Sequence, residues 1–157
     1  AEFDKKDANA LYDDGYFFIS NKQDNSQDIL DDIVHEFAHH LETLHTEKIY
    51  GDKKIIEEFL RKRKELKFEL QSEGYWVDDY DFDNLKYDSN LDNFLYKRVG
   101  PKMLNMVTAG SFIRPYASVS LREYFATGFE AFYLGDKEVL EKISPVLYNK
   151  ISEIHNL

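Results

Sequence analysis

The chain has 157 residues, 43% of them hydrophobic and 15% aromatic, which is enough for one domain with an apolar core and too few for two. A net charge of −10 excludes the clustered Lys/Arg surface that nucleic acid or an anionic membrane requires. The absence of cysteine excludes disulfides, thiolate metal sites and a cysteine nucleophile; no apolar run reaches the roughly 18 residues of a membrane span, and the start of the chain shows no signal-peptide pattern.

Tyr16-Phe17-Phe18-Ile19, opened by Gly15, is aromatic and β-branched and predicts a strand. Residues 21–26 are polar and loop-like, with Asn25 or Ser26 placed to cap the next segment. Over 27–47, Ile29, Ile33, Phe37, Leu41 and Leu44 recur at three- and four-residue steps, the period of an amphipathic helix. Asp28, Asp31 and Asp32 lie in its early turns, where the helix dipole favours negative charge, and Gly51 breaks the run. A second helix is predicted over 52–72 on Ile55, Ile56, Phe59, Leu60, Leu66 and Leu70, stopping at Gly74. Its basic run Arg61-Lys62-Arg63-Lys64 is interleaved with Glu57, Glu58, Glu65 and Glu69 and reads as a salt-bridged, solvated face.

Residues 75–93 are rich in Asp, Asn and Tyr without a period and predict an irregular excursion. Asp79-Tyr80-Asp81-Phe82-Asp83-Asn84 opens like a calcium loop, but Asn84 and Asn90 stand where that loop needs Gly and Glu; it reads as a solvated acidic loop. Then come a short helix over 91–97, one opened by Pro101, an extended stretch over 111–118, and a helix from Ser120 to Leu134 closed by Gly135. Two last helices cover 136–143 and 145–154, the second started by Ser144-Pro145. The fold class is α+β, predominantly α with a small sheet, in one domain over 1–157.

His35-Glu36-Phe37-Ala38-His39 falls inside the first helix. Residues four apart point about 40° apart on one face, so both imidazoles can reach one ion at about 2.0–2.1 Å. Glu36 lies roughly 80° round from their midpoint, able to flank a metal without binding it, where a general base for an activated water must stand. One Zn2+ per chain is the expected cofactor. A catalytic zinc needs a third protein ligand, and two residues offer it. His45 matches the last His of HExxHxxGxxH, but Glu42 replaces the helix-breaking Gly, so on an unbroken helix His45 points away. Glu123, on the helix begun by Ser120, is the alternative. Ser120-Leu121-Arg122-Glu123 is also a capping box, in which the Glu123 side chain would bond back to the backbone. Asp32, one turn before His35, could orient that ring, while His40 and His155 are given no role.

The stretch Tyr116-Ala117-Ser118-Val119-Ser120-Leu121-Arg122-Glu123-Tyr124-Phe125-Ala126 resembles the Tyr-x6-Glu-(Phe/Tyr)-Phe-Ala signature of the anthrax lethal factor catalytic domain and the clostridial Pro-Pro endopeptidases. His35-Glu36-Phe37-Ala38-His39 is similar to the HEFGH helix of the same gluzincins, with Ala38 in place of Gly. The resemblance implies a zincin-like fold, His35, His39 and Glu123 as zinc ligands, Glu36 as general base and Tyr116 as donor to the oxyanion. It also implies a peptide or protein substrate lying extended along an edge strand, for which Tyr16 to Ser20 is the natural choice. One departure stands out: the family often has a second Glu four residues after the ligand, where this chain has Thr127, leaving Glu130 or Glu42 to support a zinc histidine. The activity implied is a zinc endopeptidase. The alternative is an inactive zinc module that binds a partner peptide, or serves as a domain of a larger phage or toxin assembly.

Overall fold

In the computed structural model, which describes residues 10–13, 16–19 and 26–157, the chain is predominantly helical. β1 (Ala10–Asp13) and β2 (Tyr16–Ile19) form an antiparallel hairpin, with Leu11 paired to Phe18 and Tyr12 to Phe17. No larger sheet exists among the described residues. Gly15, Asn25 and the loop expected over 21–25 lie outside them. The hairpin lies beside α1 (Ser26–Leu44), the first amphipathic helix.

The single helix expected over 27–47 is divided. His45 leaves helical geometry (φ −123°, ψ 30°), and α2 (Thr46–Tyr50) restarts after it. α3 (Lys54–Ser72) begins two residues later than the apolar pattern suggests, because Lys53 adopts a left-handed φ of 63° and Asp52 Oδ1 accepts the Lys54 N–H at 3.1 Å. α4 (Ser89–Asn93), capped by Asp88, runs directly into a π-helical turn over Phe94–Val99, which Gly100 ends at φ 87°. α5 (Pro101–Thr108) comes next.

The extended stretch expected over 111–118 is not there. Arg114 is extended, as the residue before a proline tends to be, and Pro115–Ser118 forms a 3₁₀ turn that the Ser118 hydroxyl closes on the Pro115 carbonyl at 2.7 Å. α6 (Leu121–Leu134), α7 (Lys137–Ile143) and α8 (Pro145–His155) complete the body.

α6 is central. It touches α1, α3, α7, α8 and the 3₁₀ turn, and Leu121, Tyr124, Phe125, Ala126, Phe129 and Phe132 bury it on most sides, as the core helix of a bundle requires. Gly128 allows α8 to approach, since a Cβ there would stand 2.3 Å from Leu147 Cδ2.

The solvated basic face expected on α3 holds for Arg61 and Lys64 and fails for Lys62 and Arg63, which are 3% and 0% exposed. Both reach backbone carbonyls distant in sequence, although Arg63 Nη2 is buried without a hydrogen-bond partner among the described residues. Lys62 Nζ donates to the carbonyls of Ser111 and Ile143 and to Ser144 Oγ. Arg63 Nε donates to the Ser118 carbonyl, and its Nη1 to Phe82 at 3.1 Å. Arg63 thereby pins the irregular 75–88 segment and the end of the 3₁₀ turn to α3. Glu58, also buried, accepts the Tyr124 hydroxyl at 2.6 Å and the N–H groups of Val146 and Leu147, completing the start of α8. Among the described residues no helix is long and apolar enough to cross a membrane.

Candidate metal centre

Two helices build the site. α1 supplies His35 and His39 from one face, one turn apart; α6, packed against it, supplies Glu123 from its first turn. His35 Nε2 and His39 Nε2 stand 3.1 Å apart. Glu123 Oε2 lies 2.9 Å from His35 Nε2, and Oε1 lies 3.3 Å from His39 Nε2. The three side chains are all more than four-fifths buried.

The capping-box ambiguity at Glu123 resolves into two separate jobs. Its backbone N–H is capped by Ser120 Oγ at 3.2 Å, while its carboxylate turns away from the backbone toward the imidazoles. Position N3 of a helix permits both, because the N–H points back along the axis and the side chain leaves radially.

His35 is held at both nitrogens. Its Nδ1 meets Glu130 Oε1 and its Nε2 faces Glu123. Glu123 and Glu130 are seven residues apart, which on α6 places them two turns apart on one face, with the His35 ring between. Burial alone would lower the His35 pKa; the two carboxylates outweigh it and raise it from 6.5 to about 9 in the metal-free site. The same contacts overcome burial at Glu123 and hold its carboxyl down at about 2.

Do these residues fit a metal ion? With bonds of about 2.0–2.1 Å, the ligand atoms around a tetrahedral zinc are about 3.3 Å apart. Separations of 2.9, 3.1 and 3.3 Å come close to that figure. Glu123 Oε2 and His39 Nδ1 are buried without a well-aligned hydrogen bond among the described residues. Nδ1 protonation of His35 toward Glu130 leaves lone pairs on Nε2 and on the Glu123 oxygens converging on one point, an arrangement that a cation relieves. Two His and one Glu form a donor set of catalytic zinc. Among the described residues His35, His39 and Glu123 are the group close enough to hold a metal ion, their ligand atoms all within 4.8 Å of one another.

The other sequence-derived positions sort around this centre. Glu36 adjoins His35 on α1 and is half-buried. Tyr116 sits in the 3₁₀ turn, 39% exposed, with its ring 6.5 Å from that of Tyr96 on the π-helical turn. Burial, and then the Glu123 charge, push the Tyr116 hydroxyl pKa upward, so it stays protonated and able to donate. His45 is exposed at the α1–α2 break and is not part of the group.

Glu42 is buried beside His39 but is used elsewhere, accepting the Tyr50 hydroxyl at 2.8 Å and pairing with Arg122 at 3.2 Å. Of the two glutamates weighed for a zinc histidine, Glu130 makes the contact. Arg114, which belongs to neither motif, grips Glu130 with Nη1 at 2.9 Å. Its only signal in the sequence was its place two residues before Tyr116.

No protein-family model, no curated protein and no solved structure matches the chain, so the likeness to lethal factor-type gluzincins rests on its two motifs.

Proposed function

We propose that the chain is a zinc-dependent endopeptidase of gluzincin type, a single zincin-like unit that hydrolyses peptide bonds in an extended peptide or protein substrate. The observation that carries this reading is the convergence of His35 and His39, on the helix that also bears Glu36, with Glu123 of α6, their ligand atoms all within 4.8 Å of one another.

His35 and His39 would each offer Nε2, and Glu123 a carboxylate oxygen, to a zinc ion. Zinc held there would supply Lewis acidity, polarising the scissile carbonyl and acidifying a water. Glu36 takes the proton of the attacking water and delivers it to the leaving amine nitrogen, so the carboxylate is regenerated when the C–N bond breaks. Tyr116 donates its hydroxyl hydrogen to the carbonyl oxygen as negative charge builds on it, an interaction stronger in the transition state than in the ground state. The substrate is placed along β2, whose edge away from β1 has no strand partner among the described residues.

Glu36→Gln tests the assignment. This variant keeps zinc at one equivalent and loses about 10²–10⁴-fold in hydrolysis of a quenched-fluorescent peptide library. Cleavage at the parental rate removes Glu36 from the reaction.

A further inference from the structure

Arg114 and Glu130 take no part in the proton transfers above, yet they form a two-point ion pair beside the centre. Glu130 Oε1 meets His35 Nδ1. From its other side the carboxylate is gripped twice by Arg114, Nη1 to Oε2 at 2.9 Å and Nη2 to Oε1 at 3.2 Å. The Glu130 side chain is 12% exposed and that of Arg114 47%, so the guanidinium lies between the carboxylate and solvent. A two-point contact fixes the carboxylate plane, and with it the direction of the oxygen offered to His35. An imidazole that donates from Nδ1 has Nε2 alone to give a metal.

Arg114 is tied equally firmly to the oxyanion side. Its carbonyl accepts the Ala117 N–H at 3.0 Å, opening the turn that carries Tyr116, and the Tyr116 carbonyl accepts the Val119 N–H at 3.2 Å. Pro115 restricts Arg114 to its extended backbone, which limits how far its side chain can move independently of the turn. Thr127, standing where relatives carry a supporting Glu, is occupied otherwise: its hydroxyl bonds back to the Glu123 carbonyl at 2.7 Å.

We infer that Arg114 and Glu130 form a positioning relay linking the turn that bears Tyr116 to the imidazole of His35, so that one ion pair sets both the affinity for a divalent ion and the placement of the tyrosine. The relay rests on the metal centre proposed above.

The test uses the full chain, with zinc affinity measured by chelator competition and hydrogen exchange of the Ala117 and Val119 amides tracked with and without zinc. Glu130→Gln weakens zinc binding about 10- to 100-fold. Arg114→Ala weakens it about 2- to 30-fold, the range of an indirect coupling. Zinc slows exchange at Ala117 and Val119 in the parent and leaves it unchanged in Arg114→Ala. Arg114→Lys, which keeps the charge and loses the two-point grip, falls between parent and Arg114→Ala. It serves as the informative variant if Arg114→Ala unfolds. Metal-free variants that melt with the parent separate positioning from loss of fold. A zinc-binding parent whose affinity survives Glu130→Gln, or whose turn is protected equally in Arg114→Ala, overturns the relay. A parent that binds no zinc overturns instead the centre beneath it.

Discussion

Raising the pH should strip stability from the metal-free protein, and zinc should reverse that trend. With no metal bound, His35 sits between Glu123 and Glu130, and its pKa rises from 6.5 to about 9. The folded state therefore keeps a proton that the unfolded chain releases. The resulting stabilisation is complete below pH 6.5 and disappears as pH climbs through about 9. At about 1.4 kcal/mol per unit, a rise of this size is worth about 3 kcal/mol, of which about 2 kcal/mol is lost between pH 6.5 and 8. Above that point Lys62 works in the opposite sense. Burial pushes its pKa down from 10.5 to about 8, so above about pH 8 the folded chain has released a proton that the unfolded chain keeps, and folding gains until pH passes 10.5. The window from 6.5 to 8 is thus the one to read. Glu123, held at about 2, contributes stability that is present above pH 4.5 and lost as pH falls through about 2, leaving it constant across that window.

Urea unfolding with chelator present should show the midpoint falling from pH 6.5 to 8, and His35→Gln should flatten the slope. With one equivalent of zinc the ion replaces the Nε2 proton, binding tightens with pH, and the slope changes sign. Metal-free stability that is flat or rising across this interval, with the His35→Gln chain behaving like the parent, would refute the placement of His35 between two carboxylates.

Tyr116→Phe should lower turnover on the peptide library about 10²-fold while zinc content stays at one equivalent; loss of zinc would mean the tyrosine supports the metal site rather than the oxyanion. Gly128→Ala gains about 1 kcal/mol of helix propensity but drives a methyl to 2.3 Å from Leu147 Cδ2 in a closed core, at a cost of about 1–3 kcal/mol. The net expectation is a melting point a few degrees lower; a higher melting point would show that α8 can retreat.

The helices were legible wherever apolar spacing alone decides, as along α1, α3 and α6. The histidine pair was legible too, because two histidines at a one-turn interval carry their geometry in their spacing, whereas Glu123, which spacing left open between a cap and a ligand, was implied by the resemblance. The groups that escaped have partners distant in sequence. The basic run on α3 looks like a solvated face, since nothing local reveals that Lys62 meets carbonyls 49 and 81 residues away. The 3₁₀ turn at Pro115–Ser118 was masked by a proline that also suits extended chain. Glu130 was named beside Glu42 as a support for a histidine, but the choice between them depends on Glu130 being two turns from Glu123, a relation that no motif records because the motif ends at Ala126.

The helix that presents Glu123 is also the one most enclosed by the core, with Phe125 and Phe129 on the same few turns. The geometry of the candidate metal group and interior packing are therefore inherited together, and a residue exchanged within α6 would disturb both. Under the proposed function, new cleavage preferences would arise instead off this helix, at exposed positions near the tyrosine turn such as Tyr87, 56% exposed.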